Sequence, residues 1–158
     1  MPIREAVRND LPLIASFIRE LAEYERLSSS VAFDEAALER YLFGERPYAE
    51  VLIAEDDSGS AVGFALFFHN FSTFLGRPGL YLEDLFVRPE ARGHGYGKTL
   101  LVRLAQLALE RGCGRVEWAV LNWNRPSIEF YEALGARPNS DWTVYRLSGE
   151  ALQALGGR

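Results

Sequence analysis

The span from residue 80 to 121 constrains the fold more than any other. It opens with LYLEDLFV (80–87), an apolar run rich in strand-forming residues. RPEARGHGYGKT (88–99) follows, with glycines at 93, 95 and 97, and then a helical pattern on Leu100, Leu101, Leu104, Leu107 and Ala108. RGCG (111–114) stops that helix, and RVEWAVL (115–121) reads as a second strand. Strand, loop, helix and strand in one short stretch make a βαβ unit, whose strands are parallel neighbours joined by a right-handed crossover. Glycine is entropically costly where a helix begins, so the cluster predicts a backbone that curls tightly around something.

The remaining elements follow from periodicity and breakers. IREAV (3–7) reads as a first strand. Asn9 is placed to cap a helix running to about Arg26, with Leu13, Ile14, Phe17, Ile18 and Leu21 at helical spacing. Asp34 is placed to cap a second helix through about Phe43. VLIAED (51–56), the turn DSGS and AVGFALFFHN (61–70) predict an antiparallel hairpin. PSIEFYEAL (126–134) predicts a short helix stopped at Gly135, and WTVYRL (142–147) a last strand. The expected order is β-α-α-β-β-β-α-β-α-β, an α+β fold with one embedded βαβ unit, in a single domain over residues 1–158.

Composition removes whole classes of function. No apolar run reaches the roughly 18 residues of a membrane span, and MPIREAVRND lacks a signal-peptide h-region. These features predict a cytoplasmic protein with no membrane partner. One cysteine, Cys113, excludes an internal disulfide, and two histidines, His69 and His94, make no metal centre. A net charge of −5 argues against a nucleic-acid surface and is compatible with a cationic ligand.

Two nucleotide motifs fail letter by letter. The ATPase phosphate loop requires glycine where Arg92 stands, although Gly97, Lys98 and Thr99 fit its end. A dinucleotide fingerprint starting at Gly93 requires glycine where Lys98 stands. From the residues alone the loop is either an anion cradle or a flexible turn. A cradle would use converging backbone N–H groups, the positive end of the following helix and the Arg92 guanidinium.

Arg92-Gly93-His94-Gly95-Tyr96-Gly97 resembles the R/Q-x-x-G-x-G signature of the GCN5-related N-acetyltransferases, in the same strand–loop–helix setting. NRPSIEFYEALGA (124–136) is similar to that family's N-x-x-[SA]-x-x-F-Y-x-x-x-G segment. With IRELAEYE (18–25), LYLEDLFV (80–87) and WAVLNWN (118–124), the resemblance runs over nearly the whole chain to the diamine acetyltransferase branch, which comprises spermidine/spermine and thialysine enzymes. It implies a mixed sheet flanked by helices and acetyl-coenzyme A as co-substrate. The acceptor it implies is a primary amine of a small cationic molecule: a thialysine- or lysine-like amine, a diamine or a polyamine.

The resemblance also assigns roles. The backbone of Leu85, Phe86 and Val87 would pair with the pantetheine arm. Arg92, Gly93, His94, Gly95, Tyr96, Gly97 and Lys98 would cradle the pyrophosphate, with Asn124 and Ser127 on the other side of the cofactor. Tyr131 resembles the general acid; a phenol of pKa ~10 can protonate a departing thiolate whose conjugate acid lies near ~8.5. Glu83 would take the proton that an ammonium of pKa ~10.4 must lose. Tyr24, Glu25, Glu83, Glu117, Trp118 and Ala119 would line the amine pocket. Strand alternation puts Glu83 and Asp84 on opposite faces. Ser72 and Phe74 stand where spermidine-type enzymes carry aspartate and tryptophan, which favours the thialysine branch. Homodimers are usual in that branch. The competing readings are a peptide N-acetyltransferase and a non-catalytic acyl-coenzyme A sensor.

Overall fold

The computed structural model describes residues 2–157. Its order is β1 (Ile3–Glu5), α1 (Leu11–Tyr24), α2 (Glu35–Phe43), β2 (Glu50–Glu55), β3 (Ala61–Ser72), β4 (Arg77–Val87), α3 (Tyr96–Glu110), β5 (Val116–Trp118), α4 (Arg125–Ala133) and α5 (Gly149–Gly156). The strands form one five-stranded sheet in sequence order. Its pairs are antiparallel except β4 with β5, which is the parallel pair predicted for the βαβ unit. The α+β reading holds.

The chain divides into two compact units, one ending at Ala119 and one beginning at Val120. The first holds the whole sheet with α1, α2 and α3. Its main apolar cluster joins Ile14, Phe17 and Leu21 of α1 and Leu42 of α2 to Val51, Ile53, Phe64, Leu66 and Phe86 of the sheet. Phe17 stacks on Phe64 at 5.2 Å between ring centroids and meets Phe86 edge-on at 6.3 Å. Pleating sends Phe67, Leu80 and Leu82 to the opposite face, and α3 packs against strands β2, β3 and β4 with Leu100 and Leu104 fully buried.

Local signals behave largely as expected. Asp34 caps α2, its Oδ1 accepting from the Ala37 N–H at 2.7 Å. α1 differs: Arg8–Asp10 form a 3-10 turn, and the N-cap is Asp10 rather than Asn9. The Asp10 carboxylate is held by both Nη atoms of the Arg4 guanidinium at 2.8 Å each.

Two differences matter for the site. The β3–β4 ladder pairs Leu66 with Asp84 and Phe67 with Leu82, leaving Glu83 as the extra residue of a β-bulge. β5 is also shorter than predicted. It pairs with β4 only at Leu80, Tyr81 and Leu82, so the β5-side edge of residues 83–87 has no strand opposite it.

The second unit holds α4 and α5. The predicted strand 142–147 is not formed: the segment is irregular, with Trp142 at 70%, Val144 at 90% and Tyr145 at 93% exposure. A strand exists only through its ladder, and this unit contains no other strand to supply one. The chain ends on α5, which the sequence reading did not anticipate; its only apolar ridge is Leu152 and Leu155, both exposed. The observed order is therefore β-α-α-β-β-β-α-β-α-α.

Candidate active site

The glycine loop presents open backbone donors at the start of a helix. Gly95 is the N-cap of α3 at φ +86°, and Gly93 lies at φ +81° with open space where a Cβ would stand. That left-handed conformation costs an L-residue roughly 1–2 kcal/mol, which glycine avoids. No side chain caps α3, and among the described residues none of the backbone N–H groups from Gly93 to Lys98 is taken up by a hydrogen bond. Six donors at the positive end of a 15-residue helix fit a pyrophosphate. His94 is steadied by its own turn, with Nδ1 3.1 Å from the Ala91 carbonyl oxygen.

Arg92 does something the sequence did not suggest. Its Nε donates to the Val87 carbonyl at 2.8 Å, and its guanidinium lies 4.8 Å from the Tyr24 ring centroid and 5.5 Å from that of Phe86. The arginine ties the loop to the free end of β4 and to the last turn of α1. It brings Tyr24, Phe86, Val87 and the loop into one neighbourhood.

Beside that edge lies a cluster of carboxylates. Leu66 and Phe86 belong to the α1-side core, so Asp84, opposite Leu66, points to the same face. The bulge breaks the two-residue alternation at Glu83. Glu83 acts electrostatically on Asp84, on Glu25 and on Tyr81, so the expected separation of Glu83 and Asp84 to opposite faces does not occur. Burial, reinforced by Glu83 and then Glu25, raises the Asp84 carboxyl from its ordinary value to about 7. Burial and then Glu83 raise Glu25, which also sits at the negative end of α1. Among the described residues none of the three has a hydrogen-bond or ion-pair partner. Mutually repelling carboxylates without a cation are a standing cost, and such clusters mark places where a cation is to be bound. Sequence reasoning chose Glu83 and passed over Asp84, the more buried of the two, because the bulge that turns both to one face leaves no local signal.

The same face continues along β4. Tyr81 stacks on Phe68 at 5.2 Å and pairs in register with Glu117. Burial, then Glu83 and Glu117, raise the Tyr81 hydroxyl. Glu117 Oε1 accepts from Arg115 Nε at 3.0 Å and from Asn70 Nδ2 at 3.2 Å. Of the other two predicted pocket residues, Trp118 does not join this face. Trp118 lies opposite Leu82 and so projects to the other side of the sheet, and Ala119 follows the end of β5. Ser72 is buried and turned inward, its Oγ accepting from the Leu75 N–H at 3.2 Å, while Phe74 is 95% exposed.

In the second unit, Asn124 is the buried N-cap of α4, and its Oδ1 accepts from the Ser127 N–H at 3.4 Å. Tyr131 lies on the last turns of α4, with its ring 5.5 Å from that of Phe130. Among the described residues there is no cluster of metal-ligating side chains and no helix long and apolar enough to cross a membrane.

A profile of the acetyltransferase (GNAT) family matches residues 15–136. The chain belongs to the GNAT acetyltransferase family. It is similar to the thialysine N-epsilon-acetyltransferase of Sus scrofa, at 42% identity over 99% of this chain and 97% of the pig protein. It is 33% identical to the L-ornithine N5-acetyltransferase of Arabidopsis thaliana, over 97% of this chain and 86% of the plant protein. Among solved structures it resembles an integron cassette protein from the mobile metagenome of V. cholerae, with a TM-score of 0.82 and 29% identity over 99% and 98% of the two chains. This GNAT chain is an acyltransferase that moves acetyl from acetyl-coenzyme A to an amine. The free edge of β4 and the open N–H row of the loop fit the two halves of that donor, its amide-bearing arm and its pyrophosphate.

Proposed function

We propose that this enzyme acetylates the terminal amine of a small cationic amino acid of the lysine or thialysine type, with diamines and polyamines as poorer acceptors. The carrying observation is the unpaired carboxylate cluster of Glu25, Glu83 and Asp84 beside the free edge of β4. The naming of relatives for thialysine and for L-ornithine supports the same class of acceptor.

The chemistry divides among the residues. Acetyl-coenzyme A, when bound, supplies an acetyl thioester. Leu85, Phe86 and Val87 offer backbone groups to its arm, and residues 92–98 hold its pyrophosphate; the family resemblance assigns Asn124 and Ser127 to the same ligand. Glu25, Glu83 and Tyr24 receive the substrate ammonium, and Arg92 keeps Tyr24 in place. The proton passes to Glu83 or Asp84, leaving a nitrogen lone pair to attack the thioester carbonyl carbon. As the new C–N bond forms and the C–S bond breaks, Tyr131 gives its hydroxyl proton to the departing sulfur. Fixing amine and thioester side by side accounts for much of the rate.

Residues 1–158 act as one catalytic domain in this reading, in the cytoplasm and without nucleic acid. The exposed Trp142, Val144, Tyr145 and Leu147 support a homodimer, because a run of exposed large apolar residues is covered when a second copy packs on it. Light scattering should then give twice the chain mass; a monomer would reject it.

The decisive test is thiol release from acetyl-coenzyme A against thialysine, lysine, ornithine, putrescine, spermidine and a short peptide. Tyr131→Phe should lower kcat by about 10²-fold or more while acetyl-coenzyme A binding stays within a factor of two or so. Preference for the peptide would favour a protein acetyltransferase. Silence toward every amine, with cofactor binding intact, would sink the reading.

A further inference from the structure

The polar groups along the α1-side face of β4 and β5 run from a cluster of carboxylates at one end to an arginine–glutamate pair at the other. At the β4 bulge stand Glu25, Glu83 and Asp84. Tyr81, stacked on Phe68, forms an aromatic floor in the middle. At the far end stands the Arg115–Glu117 pair, with Glu117 in register with Tyr81 and Arg115 two residues before it on the same face. Tyr81 is acted on by both Glu83 and Glu117, so the stripe is continuous.

The pair at the far end is only partly spent. Arg115 commits Nε to Glu117, and among the described residues both Nη groups are without a partner. Glu117 takes both of its bonds on Oε1 and leaves Oε2 without one. Asn70, the second donor to Oε1, is seated where Gly79 leaves room: a Cβ there would come within 2.4 Å of Asn70 Oδ1. The side chains of Arg115 and Glu117 are 44% and 32% exposed, so an ion pair at this place adds little stability by itself. What remains is an open guanidinium fork beside an open carboxylate oxygen, which is the complement of an amino-acid head group.

We infer that Arg115 and Glu117 are the receptor for the α-carboxylate and α-ammonium of an amino-acid substrate whose terminal amine lies among Glu25, Glu83 and Asp84. The inference rests on the amine-acetylation reading above and adds the residues that select the substrate class. The spacing suits it: the register levels of Glu117 and Glu83 differ by two residues of β4, roughly 7 Å of strand rise, comparable to the separation of the two nitrogens of a lysine-length chain. A diamine offers Arg115 no anion and leaves its guanidinium fork unused. A zwitterion satisfies both members of the pair.

The test compares thialysine with its decarboxylated diamine counterpart, by initial rates and by calorimetric binding to the acetyl-coenzyme A-free protein. Arg115→Gln should raise KM and Kd for thialysine by roughly 10–100-fold, the worth of lost hydrogen bonds to a charged group, with kcat little changed. The diamine should bind the variant as well as, or better than, the parent. Arg115→Lys should recover part of the thialysine affinity, as a point charge without the fork. Equal effects on the two ligands, or no effect on either, would overturn the assignment, as would failure of the parent to bind thialysine. Loss of turnover with intact, Arg115-dependent thialysine binding would instead count against the acetylation reading and leave the receptor standing.

Discussion

Replacing Asp84 with asparagine tests the carboxylate cluster through stability alone, with no substrate needed. Its carboxyl is raised from an ordinary value near 3.8 to about 7, chiefly by burial and then by Glu83 and Glu25. The folded protein therefore keeps a proton that the unfolded chain releases. Stability contributed by that proton is complete below the unfolded value and is lost as pH rises through about 7. A displacement of this size corresponds to about 4 kcal/mol over the full window, of which about 2 kcal/mol falls between about pH 5.5 and about pH 8.5. Asparagine has a similar shape and no charge to lose. In urea unfolding at those two pH values, Asp84→Asn should be more stable relative to wild type at the higher pH than at the lower one, by about 2 kcal/mol. Parallel pH profiles for the two proteins would refute the claim that Asp84 ionises against burial and like charge.

Two further substitutions probe neighbouring features. Glu25→Gln removes one of the charges that raise Asp84, so the fall in stability with pH should be smaller and end at lower pH; an unmoved profile would separate the two groups. Gly95→Ala forces a side chain into φ +86° at the start of α3, which should cost roughly 1–2 kcal/mol in thermal or denaturant unfolding. The same change should weaken acetyl-coenzyme A binding measured by calorimetry; unaltered binding and stability would reject the tight-turn account of the loop.

The parts of this protein that could be read from sequence are those fixed by local periodicity and local chemistry. Helical spacing of Ile14, Phe17 and Leu21, the Asp34 cap, the DSGS turn, and strand–glycine loop–helix at 80–110 each specify a conformation within a few residues. Those segments in that order specified the parallel pair and the mixed sheet, and the RGHGYG and NRPSIEFYEALGA motifs carried the family resemblance. The site depended on pairing between segments distant in the chain. Glu83 and Asp84 share one face because β3 slips by one residue against β4, and only the partner strand determines a bulge. Arg92 faces Tyr24 and Val87 because the loop folds back onto α1 and the end of β4. Glu117 gains Asn70 through the junction of three strands. WTVYRL has the composition of a strand and is not one here, because β-branched and aromatic residues state a preference while a ladder requires a second chain segment beside it.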